Sequence, residues 1–313
     1  MARTNPSSAT ASPADSSTPD LPPPGGLCAI HQPNLFPRLT TLAKLFAADY
    51  WIVLDDVQFT RRDYQHRARL AALSDPDRRQ GLTIPTHLPQ GRRTDIRDAL
   101  IADPSLARRR TPAMLRQRYR FSPHWPVLAQ ALEPIQAAFD TGRTAAVAET
   151  STRALLDLLG WQGQVLASSR LAAQPGRSQR LADLAAITGA RSYLCGTGGM
   201  TYLDTNLFTA QAITVTPFLT PTAGIWAIGR RISAVWALMT LGPAELADRF
   251  GWSPPPSSQS PLGRQRLAMR AALAPPHPHS NSPRTLLTPR AASIRVDEVL
   301  AYPSATRGPA SQE

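Results

Sequence analysis

The sequence predicts an α/β fold: a single domain with a mostly parallel sheet, flanking helices and disordered termini. Three observations predict it. Short apolar runs of strand length recur at residues 27–30, 51–54, 164–167, 191–195 and 212–215. Stretches with apolar residues at three- and four-residue spacing lie between them, the mark of alternating strands and helices. The first two runs are separated by one segment of helix length, which suits a right-handed crossover between parallel strands.

Taken in order, residues 27–30 form a strand, and residues 40–48 a helix whose apolar positions are Leu42, Leu45 and Phe46. Residues 51–54 form a second buried strand. The Arg-rich stretch 60–70 fits neither period. Residues 81–84 read as a strand stopped by Pro85, and 95–107 as helix or loop. Helices follow at 112–119, 125–139 and 145–159, the last stopped by Gly160. Residues 164–167 are a strand, and 178–188 a helix with Ser178 as its N-cap. Strands follow at 191–195, leading into Gly196-Thr197-Gly198-Gly199, and at 212–215. A final helix spans 230–241 between Gly229 and Gly242. No internal repeat is visible.

The ends differ from the middle. Residues 1–26 are rich in Ser, Thr, Ala and Pro, and residues 253–313 hold 11 of the 31 prolines. Such segments bury too little apolar area to offset chain entropy, so both are expected to be disordered, with the domain at 27–252. The net charge is +12; the two tails carry −1 and +4, leaving +9 on the domain. That excess favours an anionic partner. Its weight is reduced by composition: Lys44 is the sole lysine among 34 basic residues, as genomic base bias would produce. Two cysteines, Cys28 and Cys195, give neither a disulfide framework nor a metal cluster. Residues 1–26 lack the apolar segment of a signal peptide, and no apolar run reaches membrane-spanning length. A soluble cytoplasmic protein of unspecified oligomeric state is the expectation.

The chemistry gathers at strand ends. His31-Gln32-Pro33-Asn34-Leu35-Phe36-Pro37 is a polar, proline-framed turn after the first strand, and Asp55-Asp56-Val57-Gln58-Phe59 follows the second. In open α/β sheets such positions border the ligand crevice. His31 is the leading general acid/base because imidazole titrates near neutral pH; a hydrogen-bonded structural histidine is the plainer alternative. If Asp55 and Asp56 continue the strand, their side chains alternate faces. One then serves as base or orients a histidine, and the other caps a helix or pairs with Arg61 or Arg62. Adjacent acids also suit Mg²⁺ beside a phosphate, but no further ligands accompany them. Arg62 and Arg67 are bidentate anion clamps or part of a solvated basic face. Ser168-Ser169 ends a strand, and Gly176-Arg177-Ser178-Gln179-Arg180 opens a helix that either binds an anion or is simply capped. Gly196-Thr197-Gly198-Gly199, with Tyr202 and Asp204 behind it, reads as a further site loop, although it matches no phosphate-binding fingerprint. Cys195 is better read as a small buried strand residue than as a nucleophile.

These pieces, in this order, resemble the WbqC-like protein family over residues 28–242. The distinctive parts are His31-Gln32-Pro33-Asn34 with Pro37, and Leu54-Asp55-Asp56-Val57-Gln58-Phe59. Lys44, Tyr64, Arg67, Ser168-Ser169, Gly176, Ser178, Arg180, Tyr193-Leu194-Cys195-Gly196, Gly198-Gly199 and Tyr202-Leu203-Asp204 accompany them. The resemblance implies a biosynthetic protein of O-antigen or natural-product pathways, in a family proposed to include glycine or acyl transferases. His66 stands where the family usually has Asn. Trp236 stands where a late helix usually has Asp, and residues 221–226 replace a Tyr/Gln-containing segment.

The leading expectation is a transferase moving an acyl or aminoacyl group to an amine of a sugar nucleotide or natural-product intermediate. An acyl-CoA or aminoacyl-tRNA donor would be its co-substrate. Its catalytic residues are His31, Asp55 and Asp56. Substrate binding falls to Gln32, Asn34, Lys44, Gln58, Arg62, Tyr64, Arg67, Ser169, Arg177, Gly196, Gly198, Gly199, Tyr202 and Asp204. In this scheme His31 deprotonates the amine, an aspartate orients it, arginines hold the donor's anionic part, and the 196–199 amides face the oxyanion. No metal and no resident cofactor are assigned. The competing readings are a basic nucleic-acid-binding protein without catalysis and a metal-dependent hydrolase built on Asp55/Asp56. The low aromatic share of 6% and the lack of a binding motif count against the first.

Overall fold

The structure, a computed structural model, describes residues 26–251. The expectations for residues 1–25 and 252–313 lie outside the described residues. The elements run β1 (Leu27–His31), α1 (Leu39–Ala47), β2 (Tyr50–Val53), β3 (Arg67–Ala71), β4 (Arg79–Thr83), β5 (Thr86–His87), β6 (Leu100–Ile101), α2 (Pro104–Tyr119), α3 (Trp125–Ala138), α4 (Thr144–Leu158), β7 (Gln164–Ala167), α5 (Arg177–Ile187), β8 (Ser192–Gly196), α6 (Thr197–Met200), α7 (Asn206–Thr209), β9 (Thr214–Phe218), α8 (Ile225–Gly229), α9 (Val235–Leu241) and α10 (Pro243–Arg249).

Five strands form one parallel sheet in the order β7-β2-β1-β8-β9. Numbered by their sequence among themselves, they lie 3-2-1-4-5, the doubly wound order, which reverses between β1 and β8. The expected strands thus assemble as an α/β domain. Alternation sorts the side chains onto two faces. Ala29, Trp51, Val53 and Leu194 join the larger core with α1, α3 and α4. Cys28, Ile30, Ile52, Tyr193 and Cys195 face α5 and α7 through Ala182, Leu184, Ala185 and Phe208.

At the reversal the sheet is incompletely zipped. The β1–β2 ladder runs to the pair His31↔Val53, and β8–β9 runs to Gly196↔Phe218. Between β1 and β8 only Leu27↔Ser192 and Cys28↔Tyr193 pair. The carboxyl-terminal halves of these two central strands therefore lack a shared ladder.

Several elements depart from the sequence pattern for identifiable reasons. The ambiguous stretch 60–70 ends in β3, which pairs antiparallel with β4 in a hairpin apart from the main sheet. Helix α2 begins eight residues before the expected 112, because Asp103 caps it (Leu106 N to Asp103 Oδ1, 2.8 Å) and Pro104 fits the first turn. The helix expected at 230–241 starts only at Val235. Ser233 and Ala234 donate their N–H groups to Arg69 and Pro37 carbonyls, at 2.8 Å each, instead of to a helical turn. Ala212 adopts φ +56°, which delays the last strand to Thr214. Helix α10, with Pro243 in its first turn after Gly242, was hidden by its short length.

The loop after β1 is pinned from a distance. Phe36 sits at φ +41°, a region disfavoured for a bulky residue. Its N–H donates to Ser151 Oγ of α4 at 2.9 Å, and Ser151 donates to Ala148 O at 2.8 Å. Thr152 Oγ1 donates to Asn34 O at 2.9 Å. Ser151 is fully buried, so Ser151→Ala should leave the Phe36 amide without its partner. A loss of about 1–3 kcal/mol in urea-unfolding free energy is the expected outcome.

Candidate functional site

The carboxyl edge of the sheet gathers most of the residues the sequence singles out. His31 ends β1, and its carbonyl accepts from Leu54 N (3.0 Å) and Trp51 Nε1 (3.2 Å), which fixes the strand end against β2. The His31 ring places Nδ1 2.8 Å from the Gln32 carbonyl oxygen. A carbonyl only accepts, so Nδ1 carries the proton and Nε2 keeps its lone pair. Burial, then the positive charge of Lys44, push the His31 pKa down to about 3, while the Gln32 bond resists and Arg38 adds to the depression. This corrects the expectation of a neutral-range titration: the ring is uncharged at physiological pH. Gln32 Oε1 accepts from Gln65 Nε2 at 2.7 Å. Gln65 is fully buried, and its own Oε1 has no partner among the described residues.

Lys44 comes from the last turn of α1 and is only 6% exposed. Its Nζ donates to the Ile30 carbonyl at 3.2 Å, on the strand segment where the β1–β8 ladder has stopped. Burial lowers its pKa to about 8, against a raising influence from Cys195 and Cys28. Burial also pushes the Cys28 thiol up to about 12 and raises that of Cys195, so both stay protonated at neutral pH. Cys195 is buried at the end of β8, as the strand pattern anticipates. A Cβ on Gly199 would come 2.5 Å from its Sγ, whereas Cβ atoms on Gly196 and Gly198 would meet nothing within 4 Å. Packing explains the first glycine and leaves open space at the other two.

The aspartates act together. Strand β2 ends at Val53, so the alternation expected at Asp55-Asp56 does not apply, and both carboxylates converge on the turn after β7. Ser169 N and Oγ donate to Asp55 at 3.0 and 2.7 Å. Ser168 Oγ accepts from Asp55 N at 3.2 Å and donates to Asp56. The partner of Asp56 is Arg180 of α5, rather than Arg61 or Arg62. Helix α5 is entered through Gly176 at φ +110°, a conformation that favours glycine. Ser178 is not its N-cap; Ser178 Oγ accepts from Asp204 N at 3.1 Å. The Arg177 guanidinium lies 4.5 Å from the centre of the Tyr202 ring. The start of α5 thus connects the Asp55/Asp56 turn to the loop after β8.

Other expected residues sit elsewhere. Gln58 is exposed and donates to the Arg92 carbonyl. Asn34 is buried against α4. Asp204 is exposed and accepts from Asn206 N at 3.0 Å. Arg62 is exposed; its carbonyl, with that of Asp63, accepts from Arg67. Tyr64 lies beneath two guanidiniums, Arg38 at 4.6 Å and Arg67 at 5.6 Å. Tyr64 and Arg67 line a basic groove of about 330 Å³ on the β3–β4 hairpin, with Arg69, Arg79, Gln80 and Thr83. His66 is buried 5.2 Å from the Phe59 ring, and its Nδ1 has no partner among the described residues. Trp236 is a core residue whose Nε1 has no partner among the described residues. Among the described residues no group of three or more His, Cys, Asp or Glu forms a metal cluster. The sequence offered little sign of Gln65, Arg38, Arg69 or Arg79, polar residues in the stretches that fit no regular period.

The two uncharged histidines set a pH dependence. The His66 pKa falls to about 4, through burial and then the Arg67 and Arg61 charges. Both rings bind fewer protons folded than unfolded below about pH 6.5, so stability is present above that pH and lost as pH falls toward 4 and 3. His66 contributes a loss of about 2 kcal/mol by pH 5. Urea titrations from pH 7 to 5 should show this decline, and His66→Gln should remove about half of it, leaving the share of His31.

The model of the WbqC-like protein family matches residues 32–222. A Mycobacterium tuberculosis protein, "Uncharacterized protein Rv1507c", is 26% identical over 190 residues, covering 61% of this chain and 80% of that protein. No solved structure matches. The family match covers more than half of the sequence and includes the Gln32–Pro37 turn, the aspartate pair, the Ser168-Ser169 turn, the start of α5 and the 196–204 loop: the chain belongs to the WbqC-like protein family.

Proposed function

We propose that this protein is a biosynthetic transferase that moves an acyl or aminoacyl group, of the glycine type, onto an amine of a sugar nucleotide or natural-product intermediate. The observation that carries this reading is His31: an uncharged ring with Nε2 unprotonated, at the carboxyl edge beside the sheet's reversal. The attacking amine bonds to the carbonyl carbon and loses a proton to Nε2. The imidazolium then returns that proton to the leaving thiolate or alkoxide of the donor. An anionic donor seated beside the ring raises its pKa and makes it a stronger base than in the empty site. Asp55 and Asp56 serve as positioning groups, since their oxygens are engaged by Ser168, Ser169 and Arg180. That occupation disfavours a hydrolase built on this pair. The Arg67–Tyr64 groove suits the phosphates of a coenzyme A or tRNA donor, and a cytoplasmic location follows from such donors.

The test is a mass-spectrometric screen of acyl-CoA and aminoacyl-tRNA donors against amine-bearing sugar nucleotides. With a productive pair in hand, His31→Ala should lower kcat by about 10²–10⁴ at unchanged melting temperature. Near-normal turnover in the folded variant would remove His31 as the base. Salt-sensitive RNA binding without any transfer would favour the nucleic-acid reading.

A further inference from the structure

The β3–β4 hairpin stands apart from the main sheet, and register fixes which of its side chains share a face. Arg67 lies opposite Thr83 and Arg69 opposite Gly81, and residues directly paired across a ladder point the same way. Ala68, Leu70 and Leu82, at the alternate positions, are buried in the core. The groove of about 330 Å³ beside the outward face is bordered by Arg67, Arg69, Arg79, Gln80, Gly81 and Thr83, with no carboxylate in its lining. Its three guanidiniums are unequally committed. Arg67 gives Nε and Nη2 to the Asp63 and Arg62 carbonyls, which holds it in place and leaves Nη1 uncommitted among the described residues. Arg79 shares its charge with Asp77. Arg69 is exposed, and among the described residues its side chain has no hydrogen bond or ion pair. A Cβ on Gly81, across the ladder from it, would meet nothing within 4 Å. A glycine within a strand marks a place where something can approach the backbone closely. Gln80 Oε1 accepts from Arg118 Nη2 at 2.6 Å, which leaves the Gln80 amide NH₂ as a further donor.

We propose that this groove binds the pyrophosphate of a small nucleotide-linked molecule, with Arg69 as its anchor and Gly81 as the bare floor that lets the phosphates in. The inference rests on the proposed transfer and narrows its substrates to small molecules. Size and charge decide against RNA. Small-ligand sites occupy about 300–1,000 Å³, and this groove lies at the lower end, with room for a diphosphate. RNA binding draws on a row of free cations, each neutralising one phosphate. Here, among the described residues, one guanidinium of the groove is free and two are partly committed. Arg67 and Arg69, two residues apart on one strand, are separated by about 7 Å along it, so both reach two linked phosphoryl groups. The groove also adjoins the loop that leaves His31. Leu35 N donates to Tyr64 O at 2.9 Å, and Gln65 Nε2 to Gln32 Oε1 at 2.7 Å. Two substrates of the transfer carry the required chemistry, coenzyme A on the donor side and a sugar nucleotide on the acceptor side.

Isothermal titration of the full-length protein tests this without turnover, using coenzyme A, UDP-glucose, inorganic pyrophosphate and uncharged tRNA. Coenzyme A or UDP-glucose should bind, and pyrophosphate should compete with it; the tighter of the two nucleotides shows which substrate the groove seats. Arg69→Gln should weaken that binding about tenfold to a hundredfold, the worth of a charge-assisted clamp, at unchanged melting temperature. Gly81→Val should weaken it comparably by filling the floor, while a β-branched residue in open space on a strand keeps the hairpin folded. Binding that occurs as expected while no donor supports transfer upholds the site and removes the transfer reading. Binding of tRNA alone, with a steep salt dependence, overturns the proposal in favour of an RNA surface. No binding of either nucleotide, or binding that both variants leave unchanged, overturns it as well and leaves the arginines as a solvated basic face.

Discussion

The turn after β7 is held by two neighbouring carboxylates, and the layout of the carboxyl edge depends on that grip. Asp55 and Asp56 leave β2 side by side, and Ser168, Ser169 and Arg180 meet them there. Without these contacts nothing in the ladder would fix where α5 departs from the sheet. With them, α5 starts at a set position, and its first turn reaches across to Tyr202 and Asp204. A charge-assisted network of this kind contributes through geometry more than through net stability, since its charges are partly desolvated.

The second constraint is the unpaired half of the β1–β8 seam. Parallel neighbours normally exchange hydrogen bonds along their whole overlap. Here the Ile30 carbonyl takes a lysine ammonium and the His31 carbonyl takes an indole and a backbone amide from the β2 side. At Ile30 polar satisfaction is thereby transferred from the β1–β8 ladder to a side chain, beyond the last paired residues of the two strands.

Much of the sheet was legible because buried parallel strands read as apolar runs with polar ends. The strands at 27, 51, 164 and 191 emerged within a few residues, as did the polar loops behind them. What stayed hidden depended on partners distant in sequence. The aspartate pair could be seen, but not that Ser168 would draw both side chains to one place. His31 could be seen, but not the burial that suppresses its charge. The hairpin of β3 and β4 carries arginines on its strands, so its pattern never alternates cleanly. Residues 230–234 have helical composition, yet their N–H groups are taken by Arg69 and Pro37.

The order of the sheet has a consequence for how the chain emerges during synthesis. Strand β1 is made first and lies at the centre, yet its flank on the β8 side waits until residue 192 for a neighbour. The loop that follows it waits for α4, since Phe36 is held by a residue 115 positions downstream. A nascent chain therefore carries an open, apolar strand edge through most of its elongation, and such edges recruit other chains. Nascent-chain chaperones would meet this protein early, and truncated products ending before β8 would be prone to aggregate.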